Sequence, residues 1–227
     1  MFKLYGVPFS AHTRKVILAA NEKKIEFELV PTVPLDPPDG WRDLSPTGKI
    51  PVLADNGFNL ADSSAICAYL EKKYPQPSIY PSEPQDFARA LWLEEFVDGS
   101  LQQHILEGFL LETVFAPLFL KRETNWDIVK ESLDVHIPRG FSYLESQTGG
   151  EGFLVGTRLS IADIALASIL INFNYGGQKV DEARFPKLAS WFRDILRHPT
   201  IRETLGREVE AVRQIQGMDT AFLNGIL

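Results

Sequence analysis

The sequence predicts an α/β unit followed by an all-α unit. Three observations carry that expectation. Residues 1 to about 75 alternate between apolar patterns of period 2 and period 3.6, in the order βαβ, loop, ββα. A proline-dense stretch follows, with Pro75, Pro77, Pro81 and Pro84 inside ten residues, which no regular helix crosses. Beyond it the apolar residues recur almost everywhere at helical spacing. The domain boundaries drawn from this are 1–77 and 86–227.

Each element has a local cause. Phe2–Tyr5 is an apolar run that enters the turn Gly6-Val7-Pro8 and reads as a strand. Ala11–Asn21 carries Val16, Ile17 and Ala20 at helical spacing. Glu26–Val30 alternates polar and apolar residues, as a strand does. Pro31–Pro38 is too proline-rich for regular structure. Pro51–Ala54 and Gly57–Leu60 are short strands around Asp55-Asn56-Gly57, a hairpin signal. Asp62–Tyr74 is a helix with Ala65, Ile66, Tyr69 and Leu70 on one face.

In the second half the helical segments are Phe87–Phe96, running on through Ile105, then Trp126–Gln147, Ser160–Phe173, Phe185–Leu196 and Thr200–Ile215. Leu159-Ser160-Ile161-Ala162-Asp163-Ile164 combines an N-cap serine, an acid at the third helical position and a Leu159/Ile164 staple. The helix behind it is apolar nearly all round, which places it at the centre of a bundle. The box is therefore read as structural, worth roughly 1–2 kcal/mol.

The 227 residues are 44% hydrophobic and 23% charged, enough for one large core or two small ones. A net charge of −7 without a basic run argues against nucleic acid and an anionic membrane surface as partners. No run of about 18 apolar residues is present to span a bilayer, and Met-Phe-Lys-Leu-Tyr has no secretory character. Cys67 is the single cysteine. No intramolecular disulfide can form, and a reducing, cytoplasmic setting is expected. Cys67 reads as a small buried hydrophobe in mid-helix, and without a C-x-x-C pair dithiol redox chemistry is not expected.

The candidate chemistry starts at Ser10. Its hydroxyl lies at a strand-to-helix turn, where free N–H groups and the positive end of the macrodipole favour an anion. Ser10 either caps that helix or also holds a reactive anion. Tyr5 and Thr13 are the competing hydroxyls.

The turn Pro8-Phe9-Ser10-Ala11 is one of four segments that carry a resemblance. The others are Gly48-Lys49-Ile50-Pro51-Val52-Leu53, Asp62-Ser63-Ser64-Ala65-Ile66 and Leu159-Ser160-Ile161-Ala162-Asp163. In this order, across the whole chain, they resemble the cytosolic glutathione transferase family. The likeness is to serine-type and bacterial members, since the turn has Ser where other classes have Tyr or Cys. The resemblance implies a thioredoxin-like first domain and a helical-bundle second domain. It implies glutathione as co-substrate, with no metal, and a thiolate activated for attack on an apolar electrophile. Ser10 would donate to the sulfur without acting as a nucleophile. The Ile50–Pro51 bond would be cis, with the Ile50 backbone pairing with the cysteinyl backbone of glutathione. Asp62 and Ser63 would hold the γ-glutamyl ammonium and carboxylate, and Lys49 the glycyl carboxylate. The family usually has Glu where Asp62 stands, so the arm is shorter. Read without the resemblance, Asp62 and Ser63 are helix caps and Lys49 a solvated lysine.

A second-substrate pocket is expected between the domains, lined by Phe9, His12, Phe109 and Phe115. The apolar stretch from Leu101 to Leu120 reads equally as helix core. The tail Gly217–Leu227 is placed to close over the cleft. Family members are usually dimers, so a homodimer is implied, near the helix after Asp62 and near Arg89-Ala90-Leu91-Trp92. Two other functions stay open. One is glutathione-dependent peroxidase or isomerase chemistry on the same thiolate. The other is a non-catalytic binding protein of the same fold.

Overall fold

Strand β1 (Phe2–Gly6) turns Phe2, Leu4 and Gly6 inward and Lys3 outward, the alternation its sequence dictates. It is a central strand of a four-stranded sheet ordered β2-β1-β3-β4. Helix α1 (Ala11–Glu22) carries the chain across to β2 (Phe27–Pro31), which runs parallel to β1 from Phe2↔Phe27 to Gly6↔Pro31. The Phe2 and Phe27 rings stack at 5.6 Å on that register. Strands β3 (Val52–Asp55) and β4 (Phe58–Ala61) form the hairpin, with β3 antiparallel to β1. Between them Asn56 and Gly57 hold φ values of 51° and 86°. A two-residue turn of this hand needs both, which Asn-Gly supplies at little cost.

The described residues are 1–227 of a computed structural model, in two compact units, Met1–Tyr80 and Pro81–Leu227. The division falls inside the proline-dense stretch. Helix α2 (Trp41–Leu44) was not expected. Four residues are too few to show a helical period. Trp41 is buried and its indole N–H donates to Gly48 O at 3.1 Å. The segment thereby pins the loop that leads into β3.

Helix α3 (Ser63–Lys73) packs on α1 and buries Ile66, Cys67 and Leu70. At the hairpin end of the sheet, Asp55 accepts from Lys73 Nζ and from Tyr69 Oη. These bonds hold the Asp55 carboxyl below the usual range and the Lys73 ammonium above it.

All the regular structure of the second unit is helical. Helix α4 (Pro84–Glu95) runs on into wider π-helical turns at Phe96–Leu101 and Gln103–Phe115, then into the short α5 (Ala116–Leu118). Helix α6 (Trp126–Glu131) continues through Ser132–His136 into α7 (Ile137–Gln147). Helices α8 (Ile161–Tyr175), α9 (Pro186–Ile195) and α10 (Pro199–Arg213) complete it. All fifteen residues of α8 are buried, and α4, α9 and the 103–115 segment pack around it. The tail lies on its own unit. Asp219 N–H donates to Tyr175 O at 2.6 Å and Phe222 meets the Tyr175 ring edge-on at 5.4 Å. No helix is long and apolar enough to cross a membrane.

The box at the head of α8 is formed. Asp163 accepts from Ser160 N–H at 3.0 Å, from Ser160 Oγ at 2.7 Å and from Leu154 N–H at 2.8 Å. Burial pushes the Asp163 carboxyl up to about 6, against the pull of those bonds.

Candidate active site

The sheet polarity gathers three loops. β1 ends, β3 begins and β4 ends at one edge, because β3 is antiparallel to both neighbours and Tyr5, Val52 and Ala61 stand in register. From that edge leave the Gly6–Ser10 turn, the Ile50–Pro51 peptide and the Asp62–Ser63 corner. Residues remote in sequence are brought together by pairing alone.

Ser10 is the N-cap of α1, with φ −70° and ψ 124°. Its Oγ accepts from Thr13 N–H at 3.4 Å, a long bond. The helix has no acid in its first turn, so its positive end is not neutralised from within. A capping oxygen acts as an acceptor, which leaves the Ser10 hydroxyl proton available to an anion. The two roles weighed for Ser10 are therefore compatible. Arg14 is fully buried and its Nη2 donates to Phe9 O at 3.3 Å, which fixes the turn just ahead of Ser10.

The competing hydroxyls are differently placed. The Tyr5 ring packs at 6.1 Å against Trp41. Thr13 is buried with an unpartnered Oγ1. A Cβ on Gly6 would lie 2.5 Å from that oxygen, so glycine is required there for strand and helix to approach. Ser10 is half-buried, whereas Thr13 is fully buried.

The Ile50–Pro51 bond is cis. Ahead of it, Lys49 O accepts from Ser45 Oγ at 2.7 Å and Lys49 N–H donates to Thr47 Oγ1 at 3.3 Å. The Lys49 residue itself is exposed. Asp62 caps α3 by accepting from Ala65 N–H at 3.0 Å. It holds φ +81°, a conformation that costs a non-glycine residue of order 1–3 kcal/mol.

His12, expected in the second-substrate pocket, has its Nδ1 3.4 Å from Ser63 Oγ. Lys15, which was not singled out from sequence, donates from Nζ to Ser64 Oγ at 2.8 Å. No local signal marks it, because the contact joins residues 49 apart in sequence. Phe9 is half-buried beside Ser10. Phe109 is buried, edge-on to Phe173 at 5.7 Å and pressed against Gly176, a core position. Phe115 is half-buried and faces Phe119 at 5.8 Å.

Residues 4–78 match the family described as glutathione S-transferase, N-terminal domain, and residues 111–206 match glutathione S-transferase, C-terminal domain. Glutathione S-transferase theta-1 of Rattus norvegicus is 30% identical over 204 residues, covering 86% of this chain and 82% of the relative. Probable maleylacetoacetate isomerase 1 of Drosophila melanogaster is 31% identical over 172 residues, covering 72% of this chain and 65% of the relative. The crystal structure of a glutathione S-transferase from Sinorhizobium meliloti 1021 matches the fold with a TM-score of 0.85, at 22% identity, over 100% of this chain and 99% of that one. With both halves matched, the chain belongs to the glutathione S-transferase family.

Proposed function

We propose that this protein is a serine-type glutathione transferase, in which the Ser10 hydroxyl stabilises the glutathione thiolate for attack on an apolar electrophile. The observation that carries the reading is the convergence of the Ser10 turn, the Ile50–Pro51 peptide and the Asp62–Ser63 corner at one sheet edge. A free thiol with a pKa near 8.5 is only a few per cent ionised at neutral pH. Lowering that pKa by about two units takes about 2.7 kcal/mol. One charge-assisted hydrogen bond from Ser10 and the field of the α1 N-terminus supply energies of that order. The Ile50 backbone pairs with the cysteinyl residue, Asp62 and Ser63 hold the γ-glutamyl end, and Lys49 holds the glycyl carboxylate. The thiolate sulfur bonds to the electrophilic carbon, and the leaving group departs with its electron pair or the adduct takes a proton. Phe9, half-buried beside Ser10, is the aromatic residue that the first unit offers to the electrophile.

The exposed Phe87, Leu91 and Trp92 on α4 support a homodimer through that face. The single cysteine, Cys67, fits a reducing cytoplasm.

Purified protein is assayed for conjugation of glutathione to a panel of apolar aryl and alkyl halides, with Ser10→Ala alongside. The expected result is saturable turnover that falls at least about tenfold in the variant. Turnover unchanged in Ser10→Ala removes Ser10 from the mechanism. A second reading is favoured by the relative described as a maleylacetoacetate isomerase: the same thiolate adds to a cis double bond and is expelled after rotation. Turnover of cis-enedione acids without conjugation would select it. Glutathione binding without turnover of any substrate would select a binding protein.

A further inference from the structure

In the second unit, three contacts join the helical run that ends at Phe115 to the one that passes through Ser132 and His136 into α7. Gly108 faces Ser132, where a Cβ on the glycine would run into the serine Oγ. Gly140 faces Leu101, whose Cδ1 would lie 2.9 Å from a Cβ. Between these two close approaches the His104 and His136 rings stack, with centroids 4.1 Å apart and planes within 8°. Positions 108, 104 and 101 thus meet 132, 136 and 140 in antiparallel register, in steps that keep one helical face on the seam. A glycine on either side of the rings brings the backbones close and leaves the imidazoles little room to part. Both histidines are half-buried, so protons reach them from solvent.

A histidine side chain ordinarily changes charge near pH 6.5. The first proton has a partner, because His136 Nε2 lies 3.2 Å from Glu131 Oε1. A second proton sets two like charges face to face, and one exposed carboxylate does not balance both. We infer that His104 and His136 form a proton-operated latch on this seam, closed while at most one ring is charged and opened by the second proton. Burial first, and then the charge of His136, hold His104 below its ordinary value, while Glu131 pulls it up. Of the ionisable groups on the elements around the seam (Glu107, Lys130, Glu131, Asp134, His136 and Arg139), His136 and Glu131 are the two whose charge acts on His104. With its value lowered by folding, His104 binds a proton more weakly in the folded chain than in the unfolded one. The latch is therefore complete above about pH 6.5 and gives way as pH falls below it. Opening brings water to Ile105 and Ile137, the buried neighbours of the two rings in sequence.

The test is a double-mutant cycle in thermal melting of the full chain, run at about pH 7.5 and about pH 5.5. It compares wild type, His104→Phe, His136→Phe and the double variant. Phenylalanine keeps a ring in the stack and carries no charge. Groups elsewhere, Asp163 among them, titrate alike in all four proteins and cancel. Simple burial of either histidine gives acid losses that add across the cycle. The latch gives a coupling that is near zero at the higher pH and costs the wild type about 3 °C or more at the lower one. Glu131→Gln is expected to deepen the wild-type loss. His104→Gln and His136→Gln complete the same cycle should the phenylalanine variants not fold. Hydrogen exchange corrected for intrinsic rates is expected to show protection lost at 101–115 and 132–140 on acidification while α8 keeps its own. Acid losses that add across the cycle, a coupling that does not change with pH, or protection lost evenly over the whole unit would overturn the inference.

Discussion

Two serine N-caps in this chain follow the same local rule and end differently. Ser160, at the head of α8, is buried and closed by its own acid: Asp163 takes three hydrogen bonds and completes the box. Ser10, at the head of α1, is half-buried, makes one long cap bond and has no acid in the first turn. The first helix end is electrically satisfied from within. The second is left open. A closed cap stabilises the fold, and an open one leaves a donor and a dipole for something that arrives from outside. That contrast is the basis on which we propose that Ser160 is structural and Ser10 functional.

The largest effect expected from breaking the contrast is at the closed cap. Asp163→Ala strands the Ser160 and Leu154 N–H groups in a buried site. At about 1–3 kcal/mol for each unpaired group, the variant is expected to lose about 4 kcal/mol of stability. Thermal melting should show this as a drop of roughly 10 °C. The paired change Asp163→Asn isolates the charge. Because the folded-state pKa of Asp163 is raised to about 6, the folded state binds this proton more tightly than the unfolded chain. Its contribution is complete below the ordinary carboxylate value and disappears as pH rises through about 6, a change of about 3 kcal/mol. Melting curves at about pH 4 and about pH 7 should therefore show the wild type losing ground to Asp163→Asn as pH rises. A constant difference between the two proteins would refute the assignment.

At the open cap the effects move from stability to chemistry. Ser10→Ala is expected to cost less than about 1 kcal/mol of stability, because the bond lost is long and partly exposed. Its kcat/KM with glutathione is expected to fall about tenfold to a hundredfold. Ser10→Asp sharpens the distinction. Aspartate caps a helix as well as serine does, so melting stays within about 0.5 kcal/mol of wild type, yet its charge repels a thiolate and activity falls below that of Ser10→Ala. Equal activity in the two variants would mean that only the cap matters. The smallest effect is at Asp62→Gly. Glycine relieves the φ of +81° and gives up the cap bond, so stability changes by less than about 1 kcal/mol. The glutathione KM is nevertheless expected to rise, as measured in the conjugation assay.

Both caps are readable in the sequence because capping is local. Ser160 and Asp163 are three residues apart, and Ser10 follows a Gly/Pro turn. The hairpin at Asn56-Gly57 is readable for the same reason. Features that depend on remote pairing are not. Nothing near His12 says that its ring faces Ser63, and nothing near Lys15 says that its ammonium is buried against Ser64. Helix α2 is too short for periodicity, so the anchoring of the Gly48 loop by Trp41 stays hidden. The π-helical turns at Gln103–Phe115 leave the 3.6-residue period on which the reading relies, and Phe109 within them is buried. The Ile50–Pro51 isomer came from the resemblance, since spacing alone does not distinguish cis from trans.

The most direct measurement is the pKa of the glutathione thiol when bound, read by titrating thiolate absorbance in the far ultraviolet. With wild-type protein the thiol is expected to ionise about two units below its free value near 8.5, and with Ser10→Ala to return most of the way. A bound thiol that titrates like free glutathione, or one whose lowered pKa survives Ser10→Ala unchanged, would contradict the role assigned to the open cap.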